Sequence, residues 1–330
     1  MPTNLPPDYY EVEKRYRAAS DPSEKAALLE EMYTLVPKHK GTDHLRADIR
    51  RQLSRLNQEA QAQRKKGGGH AGDYQVEKEG AGQAVLIGPA NTGKSSLLEA
   101  LTNAQPDISP APYTTWRPQP GMMAVLDIQV QLVDTPAMED QLAEPGLFHL
   151  VRSSDLILLV VDLQADPLEQ VADSLLLLRQ HRIAPRPRHG PPPENPERIA
   201  YLPLIVLVNK DDDESQDELF SICCELLEAE WPILPVSAHT GRNFEALKTL
   251  VFEQLGIVRV YAKPPGKEPD LERPFVFKRG ASVHDLARKV HRDFVEHLKS
   301  ARVWGSAEFP GQMVAREYLL EDGDIVELKM

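Results

Sequence analysis

Near the start of the chain, apolar positions recur every three or four residues. Leu28, Met32 and Leu35 share one face of a predicted helix, whose start is marked by Asp21-Pro22-Ser23-Glu24: a cap, an early proline and an acidic first turn. A second periodic run carries Leu45, Ile49, Leu53, Leu56 and Ala60, and sets Arg46, Arg50, Arg51 and Arg55 largely elsewhere on the cylinder. The two predict a helical hairpin within residues 1–66. Gly67, Gly68, Gly69 and Gly72 then break the period, which reads as a flexible linker over 67–82.

From Gln83 the pattern changes to short, β-branched, continuously apolar runs at 84–87, 122–126, 128–133, 156–161 and 204–208, with helical stretches between them. Runs apolar on both faces and separated by helices predict a mainly parallel sheet covered on each side. The expectation is an α/β domain over 83–260. Inside it, residues 184–200 are proline-rich and read as an extended surface insertion without a core of its own. A second linker is expected over 261–271, followed by a small domain over 272–330. There Phe275, Val276 and Phe277 suggest a strand, Ser282 caps a helix through Leu286, Val290 and Phe294, and residues 322–328 read as a turn feeding a last strand.

Composition narrows the setting. No apolar run reaches the roughly 18 residues that a membrane-spanning helix needs, so stable membrane insertion is not expected. The opening residues lack the basic flank and apolar stretch of a secretory signal, and the two cysteines are the neighbours Cys223 and Cys224, read as packing residues. A reducing cytoplasm fits best. Net charge is −12, unevenly spread: residues 1–66 hold 13 Lys and Arg against 10 Asp and Glu, residues 67–271 hold 15 against 30, and residues 272–330 hold 10 of each. An acidic body repels phosphate backbones, so a nucleic-acid partner would have to be met by the ends.

Gly88-Pro89-Ala90-Asn91-Thr92-Gly93-Lys94-Ser95 fits the phosphate-loop spacing and sits directly after a predicted strand and before a helix. Its backbone amides can form a nest for phosphates, Lys94 can reach the β and γ oxygens, and Ser95 can ligate magnesium. Asn91, Thr92, Gly93, Lys94, Ser95 and Ser96 are therefore candidate nucleotide contacts. Four more elements follow in order: Thr114-Thr115 in a proline-flanked loop, Asp134-Thr135-Pro136-Ala137, Asn209-Lys210-Asp211-Asp212, and Ser237-Ala238. Each follows or ends an apolar run, apart from the threonine loop, and the order is that of a GTPase. Asp212 has the carboxylate to accept from the guanine ring N–H and exocyclic amine, with Asn209, Lys210, Ser237 and Ala238 beside it. Asp134 can hold magnesium through water, Thr115 is the expected second protein ligand with Thr114 as the alternative, and Ala137 can offer its N–H to a γ-phosphate. Taken singly, Asp134 has the alternative reading of a turn cap, and the acidic run that of a solvated turn.

Lys94, Ser95, Pro106 and the Thr-Thr-x-x-Pro at 114–118 resemble the Obg-type GTPases. The tail resembles the TGS domain of their developmentally regulated branch through Arg279-Gly280-Ala281-Ser282-Val283, Asp285-Leu286-Ala287, Val303-Trp304-Gly305-Ser306 and Leu320-Glu321-Asp322-Gly323-Asp324, as does Pro37-Lys38-His39-Lys40-Gly41-Thr42 in the hairpin. That likeness implies a P-loop GTPase domain with a β-grasp, ubiquitin-like tail, hydrolysis of GTP to GDP, and a switch acting on the ribosome or other RNA through the N-terminal helices and the tail. The sequence departs from the pattern where Ala137 replaces a usual glycine and Met138 stands where many GTPases carry a water-orienting glutamine. Asn91 matches the asparagine by which potassium-activated GTPases resemble one another, which makes K+ a candidate cofactor beside Mg2+ and adds Asn91 to Lys94 and Thr115 as a candidate catalytic residue. An ATPase on the same loop and a nucleotide-stabilised scaffold with little hydrolysis are the competing readings.

Overall fold

The structure is a computed structural model describing residues 7–18, 28, 29, 32, 35, 36, 74–104, 117–138, 145–187, 198–227 and 231–329. The chain divides into two compact units, 1–71 and 72–330. In the first, helix α1 (Pro7–Ala18) contributes Tyr9 and Val12 to a cluster with Leu28, Leu29, Met32 and Val36, and Leu35 packs against it. Leu28, Met32 and Leu35 thus meet as their spacing predicts. Helix α1 has no counterpart in the sequence reading, because its apolar side is made of only Val12 and tyrosines set among charges. The predicted helix with Arg46, Arg50, Arg51 and Arg55 lies outside the described residues.

The second unit opens on a six-stranded sheet in the order β2-β3-β1-β4-β7-β8. Its strands are β1 (Gln83–Ile87), β2 (Gln119–Val125), β3 (Ile128–Asp134), β4 (Leu156–Asp162), β7 (Leu204–Asn209) and β8 (Ile233–Pro235). All pairings are parallel except the β2–β3 hairpin at the edge. Helices α2 (Lys94–Leu101), α3 (Pro145–Ser153), α4 (Pro167–Gln180), α5 (Asp217–Leu227) and α6 (Phe244–Leu255) complete this domain. Successive residues of β1 enter opposite cores: Val85 and Ile87 pack with Phe148 and Val151 of α3, whereas Ala84 and Leu86 pack with Leu97 of α2 and Val251 of α6. Burial on both faces explains why the runs are continuously apolar.

Three boundaries differ from the sequence reading. Residues 74–82 do not behave as linker: Tyr74 is buried, Gly80 bridges Val130, and the buried Gln83 and Gln131 amides, 2.8 Å apart, donate onward to the Val76 and Glu77 carbonyls. The ends of the proline-rich insertion are structured as well, since β5 (Ile183–Pro185) and β6 (Ala200–Leu202) pair in parallel and Ile183 and Ile199 are buried; residues 188–197 lie outside the described set. Third, β9 (Ile257–Ala262) does not close the first domain or begin a linker. It lies inside the C-terminal sheet, ordered β10-β9-β13-β11-β12, with β10 (Phe275–Lys278), β11 (Ser300–Trp304), β12 (Gln312–Val314) and β13 (Asp324–Lys329). Its apolar Val258 and Val260 belong to the core of that sheet, beneath Leu286 and Ala287 of α7 (Val283–Val290), which is followed by α8 (Arg292–His297). The parallel β9–β13 pair flanked by antiparallel neighbours, with a helix across it, is the expected β-grasp arrangement. No helix among the described residues is long and apolar enough to cross a membrane.

Candidate nucleotide-binding site

Strand β1 lies where the sheet order turns back on itself, between β3 and β4, and the carboxyl end of such a strand is where doubly wound sheets bind ligands. The loop leaving it is fixed by two glycines. A Cβ on Gly88, at φ +142°, would stand 2.2 Å from the Val160 carbonyl oxygen, and one on Gly93, at φ +88°, would stand 2.3 Å from Asn209 Nδ2. Asn91 adopts φ 62° and is exposed, while Thr92 is buried. Lys94 is buried, and its Nζ donates to the carbonyls of Gly88 at 3.0 Å and Pro89 at 2.6 Å. Ser95 and Ser96 open helix α2 and are half-buried.

Ser95 Oγ donates to Asp134 Oδ2 at 2.6 Å, so the hydroxyl and carboxylate suited to a hard, oxygen-preferring cation come together from segments 39 residues apart. Asp134 ends β3 fully buried, and the next hydroxyl, Thr135 Oγ1, donates to the Leu86 carbonyl at 2.7 Å. Ala137 is half-buried. Met138 is 4% exposed inside the core, and its N–H donates to the Gly88 carbonyl at 3.0 Å. The side chain in the position of the usual glutamine therefore points into packing. Thr114 and Thr115 lie outside the described residues.

Asn209 joins three segments: its Nδ2 donates to Thr92 O at 2.8 Å, and its Oδ1 accepts from Ala238 N at 3.1 Å. Lys210, at φ 68°, pairs with Asp162 at the end of β4 at 2.5 Å. Ser237 Oγ donates to Asp212 Oδ1 at 2.6 Å and accepts from Thr240 N at 3.0 Å. The candidate base-reading carboxylate is thus held against the Ser237-Ala238 turn. Two contributors were not singled out from the sequence, Asp162 and Arg242. Arg242 Nη1 donates to Asp211 Oδ2 at 2.7 Å and to the Asp213 carbonyl at 2.8 Å, and Nη2 donates to Asp217 Oδ1 at 2.7 Å. Burial pushes the fully buried Asp211 carboxyl above its ordinary value, against the pull of Arg242. A lone cation five residues past Ser237, facing an acidic run, was the available signal.

Residues 83–188 match the family described as 50S ribosome-binding GTPase, and residues 258–330 match the TGS domain, a match that takes in β9. The chain is 30% identical to an uncharacterized GTP-binding protein of Methanocaldococcus jannaschii, with 92% of each covered. It is 26% identical to developmentally-regulated G-protein 3 of Arabidopsis thaliana, over 92% of this chain and 98% of that one. A solved GTP binding protein from Pyrococcus horikoshii OT3 aligns with a TM-score of 0.48 at 16% identity, covering 75% of this chain and 99% of that one. By its GTPase and TGS domains and its near full-length likeness to these relatives, the chain belongs to the family of P-loop GTPases that includes the developmentally regulated G-proteins.

Proposed function

We propose that this GTPase is a magnesium-dependent switch that reads guanine through Asp212 and works on the ribosome or another RNA. The observation that carries the base and phosphate assignments is the convergence on Asn209 and Ser237. Side-chain bonds spanning 117, 29 and 25 residues of sequence tie the phosphate loop, the Asn209–Asp212 segment and the Ser237-Ala238 turn into one site. Ser95 and Asp134 fit magnesium by their oxygen donors. When bound, the ion supplies positive charge to the phosphate oxygens.

The remaining work falls to this chain's own groups. Lys94, already seated on the Gly88 and Pro89 carbonyls, lies within the loop whose amides face the phosphates. Catalysis in such a site is mostly positioning and electrostatic stabilisation. Thr115 is assigned as the second magnesium ligand, and the Ala137 N–H as a γ-phosphate contact. With Met138 buried, no side chain at that position orients water, which favours a monovalent cation beside exposed Asn91 as the missing charge. Contact with RNA is assigned to the arginine-rich segment 46–66 and the TGS domain.

Calorimetric titration of Asp212→Asn tests the base assignment. Two hydrogen bonds to a charged acceptor contribute roughly 1.5–3 kcal/mol each, so GDP affinity should fall by two orders of magnitude or more. Wild-type GDP affinity in that variant overturns it, and stronger binding of ADP than GDP by the wild type returns the ATPase reading. Single-turnover hydrolysis in potassium should exceed that in sodium at least tenfold, about 1.4 kcal/mol, with Asn91→Ala erasing the difference. Equal rates at matched ionic strength remove the cation, and negligible hydrolysis in both favours the scaffold reading. Co-sedimentation of each nucleotide state with ribosomal subunits tests the partner, and Arg50, Arg51 and Arg55 changed to Glu should weaken it and flatten its salt dependence.

A further inference from the structure

Asp212 sits within a crowd of like charges. Asp211, Asp212, Asp213 and Glu214 are consecutive, and Asp217 opens α5 one turn later. Unopposed, such a run separates its carboxylates, and a segment that separates cannot hold one of them against a base. The buried Asp211 carboxylate adds a second demand, since a charge without exposure to water needs a partner. Both demands are met from a different element. Arg242 reaches across 31 residues of sequence from the loop before α6.

The geometry of that reach is specific. One guanidinium nitrogen holds the side chain of Asp211 and the carbonyl of Asp213, the residues on either side of Asp212, and the other nitrogen holds Asp217. Arg242 is itself anchored to the base-edge turn: its carbonyl accepts from Ser237 N, Gly241 N donates to the Ser237 carbonyl, and Asn243 Nδ2 donates to the Pro235 carbonyl at 2.9 Å. The Ser237 that holds Asp212 by its hydroxyl is therefore tied by its backbone to the residue that brackets Asp212 by its neighbours. A lysine could meet one of these acceptors, but not as a planar fork with fixed spacing.

We infer that Arg242 is a positioning residue for base selectivity: it fixes Asp212 against Ser237 and so sets discrimination for the guanine edge. This rests on the reading of Asp212 as the guanine acceptor. The test is the ratio of affinities for GDP and inosine diphosphate, which lacks the exocyclic amine, measured by titration calorimetry on the full chain. Arg242→Met should lower GDP affinity at least tenfold and bring the GDP to inosine diphosphate ratio at least fivefold closer to one. Combined with Asp212→Asn, it should add little, because both act on one contact. Equal losses for the two nucleotides, with the ratio kept, would make Arg242 a general support of the fold and overturn the inference. If Arg242→Met does not fold, Arg242→Lys decides: it keeps a countercharge for Asp211, its ratio should still fall at least threefold, and an unchanged ratio overturns the inference. Should Asp212→Asn leave the ratio unaltered, the guanine reading itself fails and takes this inference with it. A drop for Asp212→Asn with none for the Arg242 variants refutes the inference alone.

Discussion

At the scale of single residues, the site is set by positions where one atom more or less changes the geometry. Gly93 accepts a positive φ and leaves Asn209 Nδ2 the room to reach Thr92. Gly93→Ala would incur roughly 1–2 kcal/mol for left-handed backbone and put a methyl into that bond, so GDP affinity should fall at least tenfold by titration. Met138 makes the opposite point. Restoring the common glutamine looks like repair, yet this side chain is 4% exposed within the core. Met138→Gln would bury an amide with few partners, at about 1–3 kcal/mol. Urea denaturation should show lower stability, and single-turnover hydrolysis no acceleration.

At the scale of elements, each strand or helix of the site is aimed by what it packs against. Strands β1 and β3 deliver the phosphate loop and Asp134 side by side because four consecutive registers pair them in parallel. In the C-terminal domain, α7 starts on a capping box: Ser282 Oγ accepts from Asp285 N, and the Asp285 carboxylate accepts from Ser282 N at 2.9 Å. Hydrogen bonds donated to it by the Ser282 N–H and the Ser282 hydroxyl hold the Asp285 carboxyl below its ordinary value. Ser282→Ala should cost about 1 kcal/mol, seen as a lower urea midpoint with GDP affinity unchanged. Because the folded carboxyl is the stronger acid, the cap's contribution is present above the ordinary carboxylate value and is lost as pH falls through the folded one.

At the scale of the molecule, the second unit is fastened between its two larger sheets. Arg259 of β9 pairs with Asp127, in the turn of the β2–β3 hairpin, at 2.6 Å and with Asp322 at 2.7 Å, and Tyr261 O–H donates to Asp127 Oδ2 at 2.6 Å. Burial alone would raise the Asp127 carboxyl, but hydrogen bonds from Tyr261 and Arg259 outweigh it and hold it below its ordinary value. Burial and the bond to Asp127 push the Tyr261 hydroxyl up to about 12. The joint therefore stabilises the fold at neutral pH, weakens as pH falls below 3.8 toward the folded Asp127 value, and weakens again as pH rises from 10 toward about 12. Asp127→Asn should lower stability at pH 7 by about 1 kcal/mol or less, given the partial exposure. The gap from wild type in urea titrations should close as pH falls below the carboxylate range, and a gap constant with pH would show that the joint contributes no charge-dependent stability. The hairpin that carries this joint ends in Asp134, so the TGS domain is attached to the strand that feeds the corner where Ser95 meets Asp134.

The sequence determined what depends on neighbours along the chain. The phosphate loop after an apolar run, the alternation of strand and helix, and the Ser282 cap all follow from local spacing, because a nest of amides, a buried strand and a capped helix each need particular residue types within a few positions. It could not assign β9: Ile257 to Ala262 is an apolar run with no mark of which sheet it joins, and only its pairing with β10 and β13 decided that. Nor could it show that Met138 turns inward, that Gln83 donates to Gln131 in the core, or that Arg242 brackets Asp212. Each of those rests on groups 29 to 50 residues apart along the chain, which only closure of the tertiary structure brings within hydrogen-bonding distance.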